Sequence, residues 1–208
     1  NVRTMTRGFY YDMAGEGARA VVPSRQNQAA AGELQLGANG DFGYATTDAG
    51  GHFTLSHATS YIWFDPWSQE VDARLVSVSL ATADRTIALC GTRTFDGGGF
   101  GAATGGEYAV TLSFGAEGVA LPASGGDTRV LAAAVVYPVD CSATEVHVTY
   151  TFADGSVYTE TRPGRKLEAG ATYRLTSEIT KRAGGALEIE AGEADGEPVC
   201  LKYGGSEV

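Results

Sequence analysis

Residues 145–160 read EVHVTYTFADGSVYTE. Val146, Val148, Tyr150 and Phe152 recur at every second position, and Glu145, His147, Thr149 and Thr151 fill the alternate ones. An extended chain puts successive side chains on opposite faces, so this pattern predicts a strand with one face in a core and one in water. Asp154 and Gly155 then supply a turn pair and SVYTET resumes the extended pattern. The segment therefore predicts a β-hairpin with a type I′ turn.

Outward from this hairpin, the same reading predicts strands over Phe53–Phe64, Ala73–Leu80, Arg85–Cys90, Glu107–Phe114, Arg129–Tyr137, Thr172–Thr180 and Leu187–Glu190. Gly, Asp or Pro punctuates most of them, which is the grammar of an all-β chain. Helix signal is thin: SRQNQAAAGEL, Ser24–Leu34, offers a cap and three alanines but a poor apolar face, and reads as a loop or one short helix. The Gly-rich stretch RTFDGGGFGAATGG, residues 93–106, gains little by packing and loses much entropy on ordering. It predicts a boundary between a domain over 1–95 and one over 96–208, the alternative being a long surface loop inside one sandwich.

The 208 residues carry 25 acidic and 15 basic side chains, a formal net charge of -10, and charged residues are only 19% of the chain. That field repels phosphate backbones and no basic run answers it, so the reading predicts no nucleic-acid partner and no polybasic membrane adsorption. No apolar stretch is long enough for a spanning helix. The amino end, NVRTMTRGFYYD, has no apolar signal core, which implies an export segment already removed or a chain never exported. Cys90, in TIALC, reads as a buried thiol, whereas Cys141 and Cys200 lie in more polar settings and are candidates for pairing.

Catalytic and metal chemistry find no pattern. His52 and His57 point to opposite faces of an extended chain, His147 is remote, and HExxH, CxxC and EF-hand spacings are missing. His57 is expected to make a hydrogen bond at the core margin and His52 to face solvent. There is no GxSxG elbow, and the carboxylates, among them Asp65, Asp72, Asp154, Glu188 and Glu190, select no pair. The glycines of 97–106 run into EYAVTLSF, a strand-like segment without a nearby lysine, which excludes a phosphate loop. The reading is a non-enzymatic protein with no cofactor and no metal. Tyr61, Trp63, Phe64 and Trp67 form an aromatic run that Pro66 is expected to end. It fits a strand buried on both sides, and its alternative is a carbohydrate-binding module with a platform around Tyr61, Trp63 and Trp67.

The order of these features resembles the fimbrillin-like family of Bacteroidetes surface proteins. HFTLSHATSYIWF with its His57-Ala58 pair, DARLVSVSLATADRTIALCG, AAAVVYP over Ala132–Pro138, the 146–163 hairpin, and LEAGATYRLTSEI with Leu167, Gly170 and Tyr173 follow in the family's sequence. The resemblance spans about Gly51 to Ile179. It implies two transthyretin-like Greek-key β-sandwich domains in an exported lipoprotein, displayed on the outer membrane or in a fimbrium, with membrane attachment only through an amino-terminal lipid anchor no longer present. It also implies a structural or adhesive role as a pilus or accessory subunit assembling by strand exchange, its partners other pilin subunits or host or bacterial surface ligands. In the pilins of that family an arginine-directed cut opens a groove for a strand of the next subunit. Arg19 and Arg25, in expected loops, are the candidate cut sites, and Val199, Leu201 and Tyr203, on one face of EPVCLKYGGSEV, are the candidate donor strand, with closure of the chain's own sheet as the alternative.

Overall fold

The computed structural model describes residues 18–28, 34–45, 48, 50–69, 74–96, 99–123 and 132–180, together with three short strands within 187–207. Its strands are β1 (Ala18–Val22), β2 (Arg25–Asn27), β3 (Gly43–Tyr44), β4 (Ser56–His57), β5 (Ser60–Trp67) and β6 (Arg74–Thr82). There follow β7 (Cys90–Phe95), β8 (Thr104–Glu107), β9 (Ala109–Ser113), β10 (Val119–Ala120), β11 (Ala132–Val136) and β12 (Glu145–Phe152). The last are β13 (Val157–Pro163), β14 (Thr172–Glu178), β15 (Leu187–Ile189), β16 (Leu201–Tyr203) and β17 (Ser206–Glu207). The protein is all-β, with antiparallel and mixed sheets packed as a sandwich.

One layer is a sheet in the order β13-β12-β6-β9-β2, with β10 also on β6. Apart from a bulge at Val76 of β6, its strands alternate as the sequence requires: Leu75, Val78 and Leu80 of β6, Val110 and Leu112 of β9, and Val148, Tyr150 and Phe152 of β12 all point into the core. The facing layer is β11-β5-β14, in which β5 is antiparallel to β11 and parallel to β14. β11 is buried on both faces along its whole length, as its unbroken AAAVV predicts. A third sheet, β1-β7-β8, adds Ala18, Ala20, Val22 and Phe95 to the same core. Strand pairs cross the 93–106 stretch, since β6 pairs with β9 and β12, and β5 with β11 and β14.

Four local expectations are corrected. Within Ser24–Leu34 the described residues hold a strand, Arg25–Asn27, parallel to β9, where a loop or short helix was expected. Arg85–Cys90 is not a strand: Asp84 Oδ1 accepts hydrogen bonds from Thr86 N (2.9 Å) and Oγ1 (2.7 Å), folding a turn, and the strand starts at Cys90. The hairpin loop has three residues instead of two. Gly155 N donates to Phe152 O (3.0 Å), Phe152 N to Ser156 O (2.9 Å), and Gly155 takes φ +80, the left-handed position of a three-residue loop. Finally, β5 continues through Pro66 to Trp67. Tyr61 N reaches Ala171 O, so odd residues of β5 bond toward β14 and even ones toward β11. The missing N–H of Pro66 thus faces the β11 side, past Phe64↔Ala132, the last described pair on that edge.

Gly164 follows β13 at a close approach of backbones. A Cβ there would lie 2.1 Å from Cys141 O and 2.6 Å from Thr144 O, and backbone has no rotamer by which to yield. Gly164→Ala is expected to cost about 2–3 kcal/mol, the upper range for overpacking. Gly155→Ala, open in space but left-handed, is expected to cost about 1 kcal/mol. Urea denaturation of the two variants checks the order through the midpoint at unchanged slope.

Candidate functional site at the strand edges

Outer strands present unpaired N–H and C=O groups, and three of the edges here are met by planar side chains. Thr111 N donates to Ser24 O and Gln28 N to Ser113 O, so the even residues of this stretch face β9 and Asn27 faces outward. Asn39 covers it: Asn27 N donates to Asn39 Oδ1 (3.0 Å) and Asn39 Nδ2 to Asn27 O (3.0 Å). Gln26, on the same strand, turns its side chain the other way, across the sandwich. Its Nε2 donates to Val135 O (2.7 Å) and its Oε1 accepts from Val135 N (2.9 Å), sealing the free edge of β11 as a neighbouring strand would. On β14 the even residues face outward, and Arg162 Nη2 donates to Thr176 O (2.9 Å). β13 ends in Pro163, which has no outward N–H to offer.

Arg19 and Arg25 are both exposed, as a cut site needs, but they lie in β1 and β2 rather than in loops. Arg19 sits between buried Ala18 and Ala20, and Arg25 precedes Gln26, which is 1% exposed. β1 pairs with β7 from Ala18↔Phe95 to Val22↔Gly91. Of the candidate donor residues, Val199 lies outside the described residues. The backbone of Leu201 and Tyr203 belongs to β16, which pairs with β15 on one side and β17 on the other.

The histidines divide as expected. The His52 side chain is 86% exposed, and His57 joins a cluster around buried Asp41. Asp41 Oδ1 accepts from Tyr61 OH (2.6 Å) and Thr59 Oγ1 (2.9 Å), while His57 Nδ1 is 2.6 Å from the Tyr61 oxygen. Tyr61 gives its single proton to Asp41, so His57 meets that oxygen by donating from Nδ1. Burial first, then the Asp41 contact, raises the Tyr61 pKa well above the usual phenol range. Sequence reasoning missed Asp41, which lies in an unpatterned turn. The cluster ties β4 and β5 to the 36–41 loop.

Tyr61 is therefore an internal anchor, and Trp63 and Trp67 are half-buried, so the three rings do not form the open platform that a sugar ring would stack on. Asp65, on the same face, is buried and paired with Arg174. Asp154 holds the hairpin turn through Ser156, so these two carboxylates do not converge, and Asp72 and Glu190 lie outside the described residues. No group of three metal-ligating side chains occurs among the described residues. Cys141 is a buried free thiol, as is Cys90, correcting the polar setting expected for Cys141. Burial pushes Cys90 up to about 12 and Cys141 up to about 11.

Two predictions follow from these contacts. Gln26→Leu keeps the volume but strands the N–H and C=O of Val135, which is 0% exposed, and is expected to cost about 3 kcal/mol by urea denaturation. Tyr61 and Tyr150 both have pKa values raised by burial, so the native state holds these protons more tightly than the unfolded chain does. Their contribution is complete below the unfolded phenol value of about 10 and is lost as pH rises beyond it. The urea midpoint is expected to fall between pH 9 and pH 11, and Tyr61→Phe to reduce that fall while lowering the midpoint at pH 8.

No protein-family model and no curated protein matches the chain. Among solved structures, the chain is similar to a candidate cell adhesion protein from Bacteroides ovatus, with 20% identity and a TM-score of 0.48, over 70% of this chain and 51% of that one. It is also similar to a candidate cell adhesion protein from Bacteroides fragilis, with 15% identity and a TM-score of 0.41, over 78% of this chain and 56% of that one. The chain spans about half the length of these structures.

Proposed function

We propose that this chain is a non-enzymatic structural or adhesive protein of the cell surface, fimbrillin-like, that acts through its strand edges. The observation that carries the reading is β1. It is an edge strand held by β7, its inward face is Ala18, Ala20 and Val22, and exposed arginines lie within it and three residues after it. Removing β1 would uncover the edge of β7 and a channel whose floor had been filled by small apolar side chains. Such a channel accepts an incoming strand by backbone pairing, with alternate small side chains setting the register. Sealed edges on β2, β11 and β14 support the same reading, because a protein that assembles at one edge must discourage addition at the others. The ordered sequence resemblance adds export, lipid anchoring at the outer membrane, a pilus or accessory role and transthyretin-like domains to this proposal. β16 would serve as donor only after leaving β15 and β17.

The backbones of Arg19 and Arg25 are in paired strands, so cutting follows local opening rather than direct attack. Limited digestion of the exported protein with an arginine-specific protease, followed by crosslinking and sedimentation, is expected to convert monomer into concentration-dependent multimers. The double variant Arg19→Ala, Arg25→Ala is expected to stay monomeric under the same digestion. A wild-type protein that remains monomeric after verified cleavage at Arg25 eliminates strand exchange and leaves adhesion through the intact surface.

A further inference from the structure

The two facing sheets do not close on the side where β13 and β14 form their edges. Part of this seam is clasped by polar groups: Tyr150 OH to Ser177 Oγ (2.8 Å), Ser177 Oγ to Glu160 Oε1 (2.5 Å), and Arg162 to Thr176 O. Beyond the clasp, toward Gly164 and Leu167, the sheets part around a cavity of about 200 Å³. Its floor is apolar, formed by Ile62, Leu80, Leu89, Leu167 and the Cys141 thiol, all buried. Its mouth carries Arg162, Arg165 and Arg174, and no carboxylate lines it among the described residues. In a chain of net charge -10, the charged side chains that line this cavity are, among the described residues, all arginines.

The three arginines are not equivalent. Arg162 is held by Glu160 Oε2 (3.0 Å) and Arg174 by Asp65, so their charges are already compensated and their positions fixed. Arg165 is exposed, lies over the Tyr173 ring at 5.7 Å, and makes no ion pair among the described residues. The site thus offers one guanidinium with no ion pair among the described residues, above an apolar floor. We propose that this cavity binds a short single acyl chain with a carboxylate head, the head on Arg165 and the chain on the floor between the sheets. A planar carboxylate matches the guanidinium fork, and a monoanion matches the single free charge, where a doubly charged phosphate would be left half compensated. At about 30 Å³ for a water-sized group, the cavity holds roughly six or seven such groups, which sets the chain length. This site is independent of strand exchange, since it lies on the side of the sandwich formed by β13 and β14 and uses neither β1 nor β2.

Calorimetric titration of the intact protein with butyrate, hexanoate, octanoate and dodecanoate tests the proposal. Affinity is expected to rise about fourfold per methylene and to level off near octanoate, where the cavity is full. Octanoate is expected to shield Cys141 from methyl methanethiosulfonate, read by mass-spectrometric mapping of that thiol. Octylammonium and inorganic phosphate are expected to bind at least tenfold more weakly than octanoate, and Arg165→Glu, checked for folding by its thermal melt, to lose octanoate binding by tenfold or more. Equal binding of octanoate and octylammonium, tighter binding of phosphate, or octanoate binding without protection of Cys141 overturns the proposal. So does self-association abolished by Arg165→Glu when octanoate does not bind, which would give the cavity to a second copy of the chain.

Discussion

The side-chain amide of Gln26 connects the two layers of this sandwich at an edge where, among the described residues, no strand does. Gln26 belongs by its backbone to the sheet of β6, β9 and β12, and by its side chain to the sheet of β5, β11 and β14. The amide reproduces the donor and acceptor of a peptide unit and meets Val135 with both, in a place shut off from water. A hydrogen bond of this kind adds only about 1 kcal/mol net, but its loss would leave two buried backbone groups without partners. The asymmetry makes the contact a constraint on everything that positions β2. Asn39 holds the outer side of Asn27, and the turn bearing Asn39 approaches β1 so closely that a Cβ on Gly40 would stand 2.7 Å from Val21 O. Residues 18–41 are therefore fitted together around one point on β11.

The same device recurs because the fold has more edges than strands to cover them. A closed barrel removes its edges, whereas a sandwich must blunt them by other means. Here planar groups from Asn, Gln and Arg do so locally, one residue at a time, and Pro163 ends β13 without an outward donor. Local caps differ from a covering strand in one respect: each blocks pairing at its own position while leaving the adjacent backbone unaltered. The seam between β13 and β14 illustrates this. The clasp of Tyr150, Ser177, Glu160, Arg162 and Thr176 closes part of it, and the cavity begins where the clasp stops.

These caps also explain which parts of the fold were legible in the sequence. Strands β12, β13, β6 and β14 could be read because their alternation records a long-lived environment, core on one side and water on the other. The unbroken AAAVV of β11, which does not alternate, accords with its burial on both faces. β2 could not be read, since SRQNQ has no alternation to display; its conformation is decided by contacts with β9 and with a residue 109 positions away. The 84–88 turn was hidden in a β-prone run because one aspartate side chain outweighs local propensity. The His57 role at the core margin was legible and its partner Asp41 was not. Arg162, Arg165 and Arg174 follow no motif, and only the meeting of two edges brings them to one cavity.

The position of Gln26 bears directly on the two candidate cut sites. A cut after Arg19 would leave Ala20–Val22 on β7 and both amide caps in place, so it would shorten β1 without emptying its channel. A cut after Arg25 would free β1 entirely and make Gln26 the new amino terminus. An ammonium group would then sit on a residue that is 1% exposed, and a buried charge without a partner is strongly disfavoured. The relief available is for Gln26 to leave its pocket, which would bare the β11 edge at Val135. Under the strand-exchange reading, a single cleavage would then act on two edges at once: β7 directly, through loss of β1, and β11 indirectly, through withdrawal of the amide that seals it. Gln26 thus couples the amino-terminal strand to the deepest strand of the opposite layer, and Arg25 stands one bond away from that coupling.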